Sequence, residues 1–445
     1  MDIKKKVFVL GMARSGYEAA KFLASKGYEV VVNDAKEEQN AEQMEELKKL
    51  GVQMVLGSHP DYLFDETFEM MVKNPGIPNN HKYVEKARGY NIPVINEVEL
   101  AFRYFPQGVK IVGVTGTNGK TTTTTIIYEI LKAAKKSVYL MGNIGYPVCS
   151  FITKLKDGDI AVMEISDHQL CNVIDFKTNI SVLTNLSEAH LDFHGSYEAY
   201  KNMKKRIFNH HTEDDVAVLN LGDEEVLNLT SDIKSTKKYF ASHSSNDNGC
   251  SIVDGYICYN NDKIIALDAV KIKGMHNYEN AMAAIVVSKE LGVDNEAIVS
   301  VLTTFGGVEH RIEYVKTVND REFYNDSKAT NVTSTQIALA SFTKPTILLL
   351  GGLDRGHSFD DLRDYLKHVK LIVSYGETKN RINDFAKACN IPCEVVDTLE
   401  EATYKAFSSS DAGDVILLSP ACASWDQFKD FEVRGDSFKE YVNKL

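Results

Sequence analysis

The sequence KIVGVTGTNGKTTTTT, residues 110–125, contains the strongest local pattern in the chain. It predicts a short buried strand, a glycine-rich turn and a helix that opens with threonines. Such a turn leaves backbone N–H groups pointing into one concavity, beside the positive end of the new helix. Lys120 adds a full positive charge, and the Thr121 hydroxyl suits Mg²⁺. We therefore predict a phosphate-binding loop.

The glycine spacing of this loop departs from the usual pattern. Counting back from Lys120, a glycine is expected at position 114, but the chain has valine there and glycines at 113 and 116. A glycine-rich turn that binds nothing is the alternative interpretation. The joint occurrence of strand, glycines, Lys-Thr pair and helix favours the phosphate loop.

Composition describes an ordinary globular protein. The chain has 445 residues, 44% hydrophobic and 25% charged, which predicts two to four domains. No run approaches the roughly 18 apolar residues of a membrane span. The start leads directly into a strand, so we expect no signal peptide and a cytoplasmic location.

Net charge and cysteine pattern argue against two further classes, nucleic-acid-binding proteins and proteins stabilised by disulfides. The formal net charge of −12 argues against a nucleic-acid surface, although a local positive pocket could still bind phosphorylated small molecules. The seven cysteines form no CxxC pair, which is typical of reduced, mostly buried thiols.

The first hundred residues predict a nucleotide-binding βαβ opening. A strand at 6–11 runs into GMARSG, followed by a helix, a second strand and Asp34. The loop lacks the middle glycine that a dinucleotide needs, so a UDP-type ligand and a purely structural turn remain equally open. Asn74-Pro75-Gly76 predicts a turn at the carboxyl end of a later strand, where ligands bind in open α/β sheets.

Beyond the phosphate loop, polar side chains follow buried strands. Glu164 ends the apolar strand 159–166, where a Mg²⁺ ligand is expected beside a phosphate loop, although a solvated strand end is the alternative. The next strand leads to His190 and then to a helix carrying Tyr200 and Lys204. Taken alone, a lysine-rich helix is typical of a solvated face.

A strong helix is predicted over 274–292. Asn277 and Asn280 lie three residues apart and share one face near its start. They could cap the helix or contact a base or ribose, and the sequence leaves both interpretations open.

The last third of the chain alternates strands and helices, as in a doubly wound α/β domain. Its polar strand ends should converge at one edge and form a basic, hydroxyl-rich pocket suited to a small dicarboxylic acid. That edge carries Lys328, Thr330, Arg355, Ser424 and Phe431. The predicted fold class is α/β with three domains: a Rossmann-like domain at 1–106, a P-loop ATPase-like domain with a mostly parallel sheet at 107–306, and the doubly wound domain at 307–445.

Several motifs together resemble the Mur ligases, the ATP-dependent amide-forming enzymes of peptidoglycan precursor synthesis. The resemblance covers nearly the whole chain, and the joint order of the motifs is more specific than any one of them. The motifs are TGTNGKTT, MEISDHQL, NLSEAHLDFHGSYEAYKNMKKRIF, HNYENAMAA, EHR and NDSKATN. The last two, with LLGGLDRG and SPACASWDQFKDFEVRGDSF, look most like the members that add D-glutamate.

The resemblance implies a reaction and a set of roles. ATP would phosphorylate the carboxylate of UDP-N-acetylmuramoyl-L-alanine, and the D-glutamate amine would attack the acyl phosphate through a tetrahedral intermediate. It implies two Mg²⁺ ions, one held by Thr121 and Glu164, the other by His190 and a carbamate on Lys204. Separately, we expect a monomer. The implied ATP-binding residues are Gly116, Thr117, Asn118, Gly119, Lys120, Thr121, Thr122, Asn277, Asn280, Arg311 and Asp326.

The resemblance also assigns the two other substrates. D-glutamate would contact Lys328, Thr330, Arg355, Ser424 and Phe431. The UDP-sugar would contact Arg14, Ser15, Asp34, Gly76 and Asn143. The implied catalytic residues are Lys120, Glu164, His190, Lys204 and Arg311.

The chain departs from the family pattern where Asp167 and His168 replace the serine and aromatic residue often found there. Lys205 adjoins Lys204, which leaves the register of the carbamate open. The rival enzymes are folylpolyglutamate synthetase and Mur ligases for other amino acids; a DNPR-like motif of a diaminopimelate ligase is absent from the sequence. A nucleotide-binding switch or transport ATPase is the rival from another class.

Overall fold

Across residues 5–243 and 246–445, which the computed structural model describes (Asp192 by its backbone alone), the strands form three sheets. One unit of the chain ends at Thr304, and the other spans Phe305–Leu445. No helix in these described ranges is both long and apolar enough to cross a membrane.

The first sheet is wholly parallel, with strand order β3-β2-β1-β4-β5. Its strands are β1 (Lys6–Leu10), β2 (Glu29–Asp34), β3 (Gln53–Leu56), β4 (Met70–Lys73) and β5 (Val94–Ile95). The helices are α1 (Arg14–Ser25), α2 (Ala41–Lys49), α3 (Lys82–Gly89) and α4 (Glu97–Phe102). The order reverses beside β1, so the loops after β1 and β4 are neighbours at a topological switch point.

The second sheet includes the strand that leads into the phosphate loop, third from one edge of the strand order β14-β13-β12-β11-β10-β9-β6-β8-β7. Its strands are β6 (Lys110–Thr115), β7 (Val138–Gly142), β8 (Ile160–Glu164), β9 (Ile180–Leu183), β10 (Val216–Asn220), β11 (Thr236–Ala241), β12 (Gly249–Val253), β13 (Tyr256–Tyr259) and β14 (Asp262–Ala266). The helices are α5 (Lys120–Ala133), α6 (Asp167–Leu170), α7 (Leu191–His194), α8 (Tyr197–Lys205), α9 (Glu224–Leu229), α10 (Met275–Glu290) and α11 (Asn295–Leu302).

This strand order brings the candidate active-site residues to one edge of the second sheet. β6 lies between β8 and β9, and all three strands run parallel. Their carboxyl ends, which lead to the phosphate loop, to Glu164 and to Thr184, therefore meet at the same edge of the sheet. Only the last three strands, β12 to β14, pair antiparallel among the described residues of this sheet.

The two sheets of the first unit share a core. Val9 of the first sheet belongs to the same buried apolar cluster as Ile111 and Met163 of the second. Burial of this shared surface stabilises both sheets together, because apolar area removed from water contributes about 25 cal/mol per Å².

The second unit contains a six-stranded sheet of order β15-β16-β20-β17-β18-β19, parallel except for β15. Its strands are β15 (Glu313–Val318), β16 (Arg321–Asn325), β17 (Thr346–Gly351), β18 (Val369–Tyr375), β19 (Cys393–Val395) and β20 (Val415–Leu418). The helices are α12 (Val332–Ala340), α13 (Lys379–Ala388), α14 (Leu399–Ser408) and α15 (Phe431–Asn443), and a 3₁₀ helix spans Asp360–His368.

The predicted fold class is confirmed: the chain is α/β, with mostly parallel sheets. The predicted domain boundaries at 106/107 and 306/307 stay predictions. The antiparallel hairpin of β15 with β16 was not expected, since the segment at its start contains two glycines and charged residues rather than a clear alternation.

Candidate active site

The phosphate loop needs its two glycines for steric reasons. Gly116 has φ +144° and Gly119 has φ +80°, both unfavourable for other residues. A Cβ at Gly116 would lie 1.9 Å from the Thr184 hydroxyl, and one at Gly119 would lie 2.2 Å from the Asn280 side-chain oxygen. Close packing of this loop against Thr184 and Asn280 therefore requires glycine at both positions.

Neighbouring elements hold the loop in place. The Asn118 amide donates to the side-chain oxygen of Asn185 at 2.9 Å, and the Thr184 hydroxyl donates to the Asn118 carbonyl at 2.6 Å. The Lys120 ammonium donates to the carbonyls of Gly116 and Thr117 at 3.0 and 2.8 Å. α5 starts at Lys120 without a side-chain cap. Its first-turn N–H groups therefore suit an anion.

Glu164 has an unsatisfied oxygen. The side chain is 1% exposed, and its Oε1 accepts a hydrogen bond from the Asn143 amide at 2.5 Å. Its Oε2 is buried without a hydrogen-bond partner among the described residues. An unpaired buried carboxylate oxygen is costly unless a cation or donor joins it. The donor set of Glu164 and the buried Thr121 hydroxyl fits Mg²⁺, which prefers oxygen ligands.

Lys204 is fully buried. Its Nζ lies 3.4 Å from Oδ1 of Asp167 and 4.6 Å from the centre of the Tyr200 ring. Burial and, after it, the positive charge of Lys120 lower the pKa of the Lys204 amine to about 7, although Asp167 opposes this shift. A large fraction of this amine is therefore neutral near pH 7.

The YxxxK spacing on α8 accounts for this placement. Tyr200, one turn before Lys204, has its hydroxyl 3.0 Å from the Thr117 hydroxyl and so joins α8 to the phosphate loop. Lys205 points elsewhere and forms a 2.6 Å ion pair with Asp232 at the surface. Of the two adjacent lysines, Lys204 is the one beside the loop.

Three histidine side chains surround the Asp167 carboxylate. Its Oδ2 lies 3.0 Å from Nδ1 of His168, 3.0 Å from Nδ1 of His190 and 2.7 Å from Nε2 of His194. We call these four residues the Asp167 cluster. Burial alone would raise the pKa of Asp167, but the bonds from the histidines and the charge of Lys204 hold it well below the usual range. The sequence marked Asp167 and His168 only as a departure and gave no signal of this convergence.

The predicted UDP-sugar residues mostly surround the loop after β1. Asp34 accepts a hydrogen bond from the Met12 amide at 2.6 Å. The Asn74 amide donates to the Ser15 hydroxyl at 3.1 Å, and its oxygen accepts from the Gly76 amide at 3.1 Å. The Arg14 guanidinium donates to the Gly145 carbonyl at 3.3 Å. Asn143, two residues before Gly145, donates a hydrogen bond to Glu164.

Sequence reasoning missed Lys73, which supports the turn after β4. The side chain is fully buried, and its ammonium donates to the carbonyls of Asn74 and Ile77. Burial lowers the pKa of Lys73 to about 8. A lysine at the end of an apolar strand is normally expected at the surface, so its sequence context gave no warning.

The two asparagines of α10 do not cap it. The helix begins after Gly274 without a side-chain cap. Asn280 instead accepts a hydrogen bond from the Thr123 hydroxyl of α5 at 3.2 Å, and the Asn277 amide donates to the Lys273 carbonyl at 2.9 Å. Asn280 therefore lies beside the phosphate loop, and Asn277 lies one turn before it.

Within the second unit, Asp326 is buried while Arg311 is exposed. Asp326 accepts hydrogen bonds from the Ser419 hydroxyl at 2.7 Å and from the Ile312 amide at 3.2 Å. Burial raises the pKa of Asp326 to about 7, and Arg311 opposes the shift. Arg311 is thus close enough to act on the Asp326 charge.

The predicted amino-acid pocket is framed by aromatic rings. The Lys328 ammonium lies 5.5 Å from the centre of the Phe431 ring. The exposed Arg355 guanidinium lies 4.7 Å from the Trp425 ring. Ser424 is 2% exposed. Thr330 follows Lys328 in a turn closed by a 2.9 Å hydrogen bond between their backbones.

A second residue missed by the sequence supports this pocket. Arg434 is the largest fully buried side chain described. It donates to the Ser327 hydroxyl at 3.0 Å, to the Ser327 carbonyl at 2.8 Å and to the Cys422 carbonyl at 3.0 Å. It therefore joins the loop that contains Lys328 to the loop that contains Ser424.

Three family models match the chain in order. They are "Mur ligase MurD-like, N-terminal domain" over residues 5–96, "Mur ligase middle domain" over 114–288 and "Mur ligase, glutamate ligase domain" over 310–422. The middle-domain match contains the phosphate loop, Glu164 and the buried Lys204. The chain belongs to the Mur ligase family.

Curated relatives match this chain over nearly its full length and their own. A UDP-N-acetylmuramoylalanine--D-glutamate ligase of Geobacillus sp. (strain WCH70) is 46% identical over 444 residues, covering 99% of this chain and 98% of the relative. The protein of the same name from Geobacillus kaustophilus (strain HTA426) is 46% identical over 443 residues, with the same shares covered.

Solved structures show the same fold. UDP-N-acetylmuramate-alanine ligase MurC from Thermotoga maritima aligns with a TM-score of 0.62 at 20% identity, covering 99% of both chains. MurF from Acinetobacter baumannii aligns with a TM-score of 0.57 at 16% identity, covering 92% of this chain and 90% of its own. At these identities the likeness concerns the fold alone.

Proposed function

We propose that this chain joins D-glutamate to UDP-N-acetylmuramoyl-L-alanine in an ATP-dependent reaction that yields ADP and phosphate, a step of peptidoglycan precursor synthesis. The observation that carries the proposal is the 46% identity with a ligase of that name across 99% of this chain. The substrates and ATP are small charged molecules, and we expect the enzyme to act on them as a monomer in the cytoplasm.

The phosphate loop and its surroundings would hold ATP. Mur ligases use ATP and Mg²⁺. The uncapped first-turn N–H groups of α5 and the Lys120 ammonium would supply positive charge, and Asn280 adjoins the loop. From the second unit, Arg311 and Asp326 are the proposed further contacts. When bound, Mg²⁺ neutralises phosphate charge and polarises the phosphoryl group to be transferred.

Two Mg²⁺ sites are proposed. Thr121 and Glu164 would hold the ion nearest ATP, and the unsatisfied Glu164 oxygen supports this assignment. His190 and a carbamate on Lys204 would hold the other. Carbamylation requires a neutral amine to attack CO₂, and the burial that lowers the pKa of Lys204 to about 7 supplies one. The modification converts a cation into an anionic oxygen ligand, which is what Mg²⁺ requires.

The two other substrates would bind to separate surfaces. The loop after β1, with Arg14, Ser15 and Asp34, would bind the UDP-sugar, together with Gly76 and Asn143. Lys328, Thr330, Arg355, Ser424 and Phe431 would bind D-glutamate. Two cations and hydroxyls suit its two carboxylates, because a guanidinium can pair with a carboxylate through two hydrogen bonds.

The chain's residues would promote two successive steps. First, positive charge from Lys120 and Arg311 stabilises transfer of the γ-phosphoryl group to the L-alanyl carboxylate. The D-glutamate amine then attacks the acyl phosphate, and the tetrahedral intermediate collapses with release of phosphate. Holding the amine beside the acyl carbon replaces a bimolecular encounter with an intramolecular one.

Phosphate release with UDP-N-acetylmuramoyl-L-alanine and a panel of amino acids tests this function. We expect release with D-glutamate and formation of the amide product by mass spectrometry. Release with glycine or L-lysine but not with D-glutamate would overturn the specificity. Release without any amino acid would instead favour the ATPase interpretation.

A further inference from the structure

The Asp167 cluster places three imidazoles around a single carboxylate oxygen. The nitrogens of His168, His190 and His194 lie 2.7–3.0 Å from Oδ2. One carboxylate oxygen has two lone pairs, so it cannot pair well with three N–H groups at once. A cation among these groups would resolve the crowding, because each neutral imidazole could then turn a lone pair toward it.

Three members of the cluster meet the geometric demands of a metal site. Asp167, His168 and His194 each offer one ligand atom, and these atoms all lie within 4.8 Å of one another. With metal–ligand bonds of about 2.0–2.2 Å, ligand atoms are expected about 3–3.5 Å apart, so small side-chain shifts suffice. We propose that Asp167, His168 and His194 form a site for a divalent first-row transition metal such as Zn²⁺ or Co²⁺.

The local structure holds these ligands in place without a metal. Asp167 and His168 open α6, whose start is fixed by a capping box between Ser166 and Gln169. His194 ends α7, which Gly195 terminates in a left-handed conformation. The His168 ring also packs against Phe193, with ring centres 4.1 Å apart.

One side of the proposed metal site is buried, and the other side faces solvent. The side chains of Asp167 and His194 are 2% and 4% exposed, whereas His168 is 25% exposed. A metal could therefore enter past His168, and water could complete its coordination. An open position of this kind is characteristic of three-ligand metal sites that bind exchangeable ligands.

The donor set distinguishes this site from the proposed Mg²⁺ sites. Two imidazoles and one carboxylate suit Zn²⁺ or Co²⁺, whereas Mg²⁺ prefers oxygen ligands. None of its three ligands is among Thr121, Glu164, His190 and Lys204, the ligands proposed for Mg²⁺. The proposal therefore does not depend on ligase activity.

Titration of the metal-free full-length chain with Co²⁺ tests the proposal, followed by visible absorption and calorimetry in the absence of ATP. We expect one Co²⁺ site with d–d bands typical of nitrogen and oxygen ligands. A large excess of Mg²⁺ should not displace the ion, and the Glu164→Gln variant should retain the bands. Ready displacement by Mg²⁺, or loss of the bands in Glu164→Gln, would assign the Co²⁺ to one of the two proposed Mg²⁺ sites and overturn the proposal.

His168→Phe is the decisive variant, and His210→Phe, which changes an exposed histidine outside the cluster, is its matched control. His168→Phe should weaken Co²⁺ binding beyond the about 10- to 100-fold caused by losing an outer-shell partner, while the control keeps wild-type affinity. Asp167→Asn, checked for folding by circular dichroism, should weaken binding similarly. Equal affinity in folded His168→Phe and wild type, or sulfur-to-metal charge-transfer bands, would contradict the site.

Discussion

The phosphate site of the first unit and the amino-acid pocket of the second are built in different ways. Around the phosphate loop, the reactive groups Glu164, Asp167 and Lys204 are buried and held by short contacts. In the second unit, the pocket cation Arg355 is exposed. Two buried charged side chains there, Asp326 and Arg434, contact backbone groups and hydroxyls.

We expect the buried groups of the phosphate site to serve the reaction and the exposed cation of the amino-acid pocket to serve substrate recognition. Burial changes what a group can do, as the lowered pKa of Lys204 shows, and it fixes the group before any substrate arrives. An exposed guanidinium can pair with a small acid and release it again. We therefore expect substitutions in the phosphate site to reduce kcat and substitutions of exposed pocket residues to raise KM.

Lys204→Ala should have the largest effect. We expect kcat for phosphate release to fall by on the order of 10³-fold, the scale of losing a preorganised charged group in the transition state. Lys205→Ala is the matched control, since it removes the adjacent surface lysine and should leave the rate nearly unchanged. Unchanged turnover in Lys204→Ala would remove the carbamate assignment.

Rescue of Lys204→Ala sharpens this test. High bicarbonate should restore nothing, because no amine remains to be carbamylated. Short carboxylic acids should restore part of the rate by placing an oxygen ligand in the vacated space. Rescue by bicarbonate alone would contradict the chemical role given to Lys204.

Glu164→Gln should cost about 10²-fold in kcat and raise the Mg²⁺ concentration needed for half-maximal rate, because a neutral amide is a poorer ligand for Mg²⁺. Steady-state rates across a Mg²⁺ series measure both effects. Glu225→Gln, which changes an exposed partner of Lys201, serves as the control. An unchanged Mg²⁺ dependence would show that Glu164 does not face the metal.

Arg434→Leu should destabilise the second unit. Three hydrogen-bond acceptors lose a charged donor, which corresponds to about 2–4 kcal/mol in the free energy of unfolding. Urea denaturation followed by circular dichroism measures the loss, with the surface variant Arg363→Leu as control. Equal midpoints for the two variants would mean that Arg434 does not support the loops it joins.

Arg355→Ala should have the smallest effect. We expect the KM for D-glutamate to rise about tenfold while kcat changes little, as for loss of one charge-assisted hydrogen bond that forms equally in ground and transition states. Initial rates across a D-glutamate series check this. A fall in kcat at unchanged KM would place Arg355 in the chemistry instead and break the contrast between the two regions.

Much of this arrangement could be predicted from the sequence. Strand periodicity and glycine turns predicted the parallel sheets, because both signals are local. The polar ends of parallel strands indicated the site edge, since such ends meet at one side of a sheet. The phosphate loop and Glu164 were found in this way.

The burial of charged side chains could not be predicted from local sequence patterns. Lys73 donates to carbonyls of the turn that follows it, and Arg434 donates to carbonyls of Cys422 and Ser327. The sequence around these two residues did not predict their burial. The Asp167 cluster joins α6 to the region of α7 across more than 20 residues, and only the fold brings them together. Lys204 was singled out by the family resemblance, because its helix alone is typical of a solvated face.

The central claim is that Lys204 is a buried, reactive amine that carries a carbamate, and ¹³C NMR with ¹³C-labelled CO₂ tests it most directly. At constant dissolved CO₂, the account predicts one carbamate signal that grows as pH rises through about 7, because deprotonation supplies the neutral amine. The signal should persist in Lys205→Ala and vanish in Lys204→Ala. A signal that survives in Lys204→Ala, or no signal in the wild type at any pH, would contradict the account.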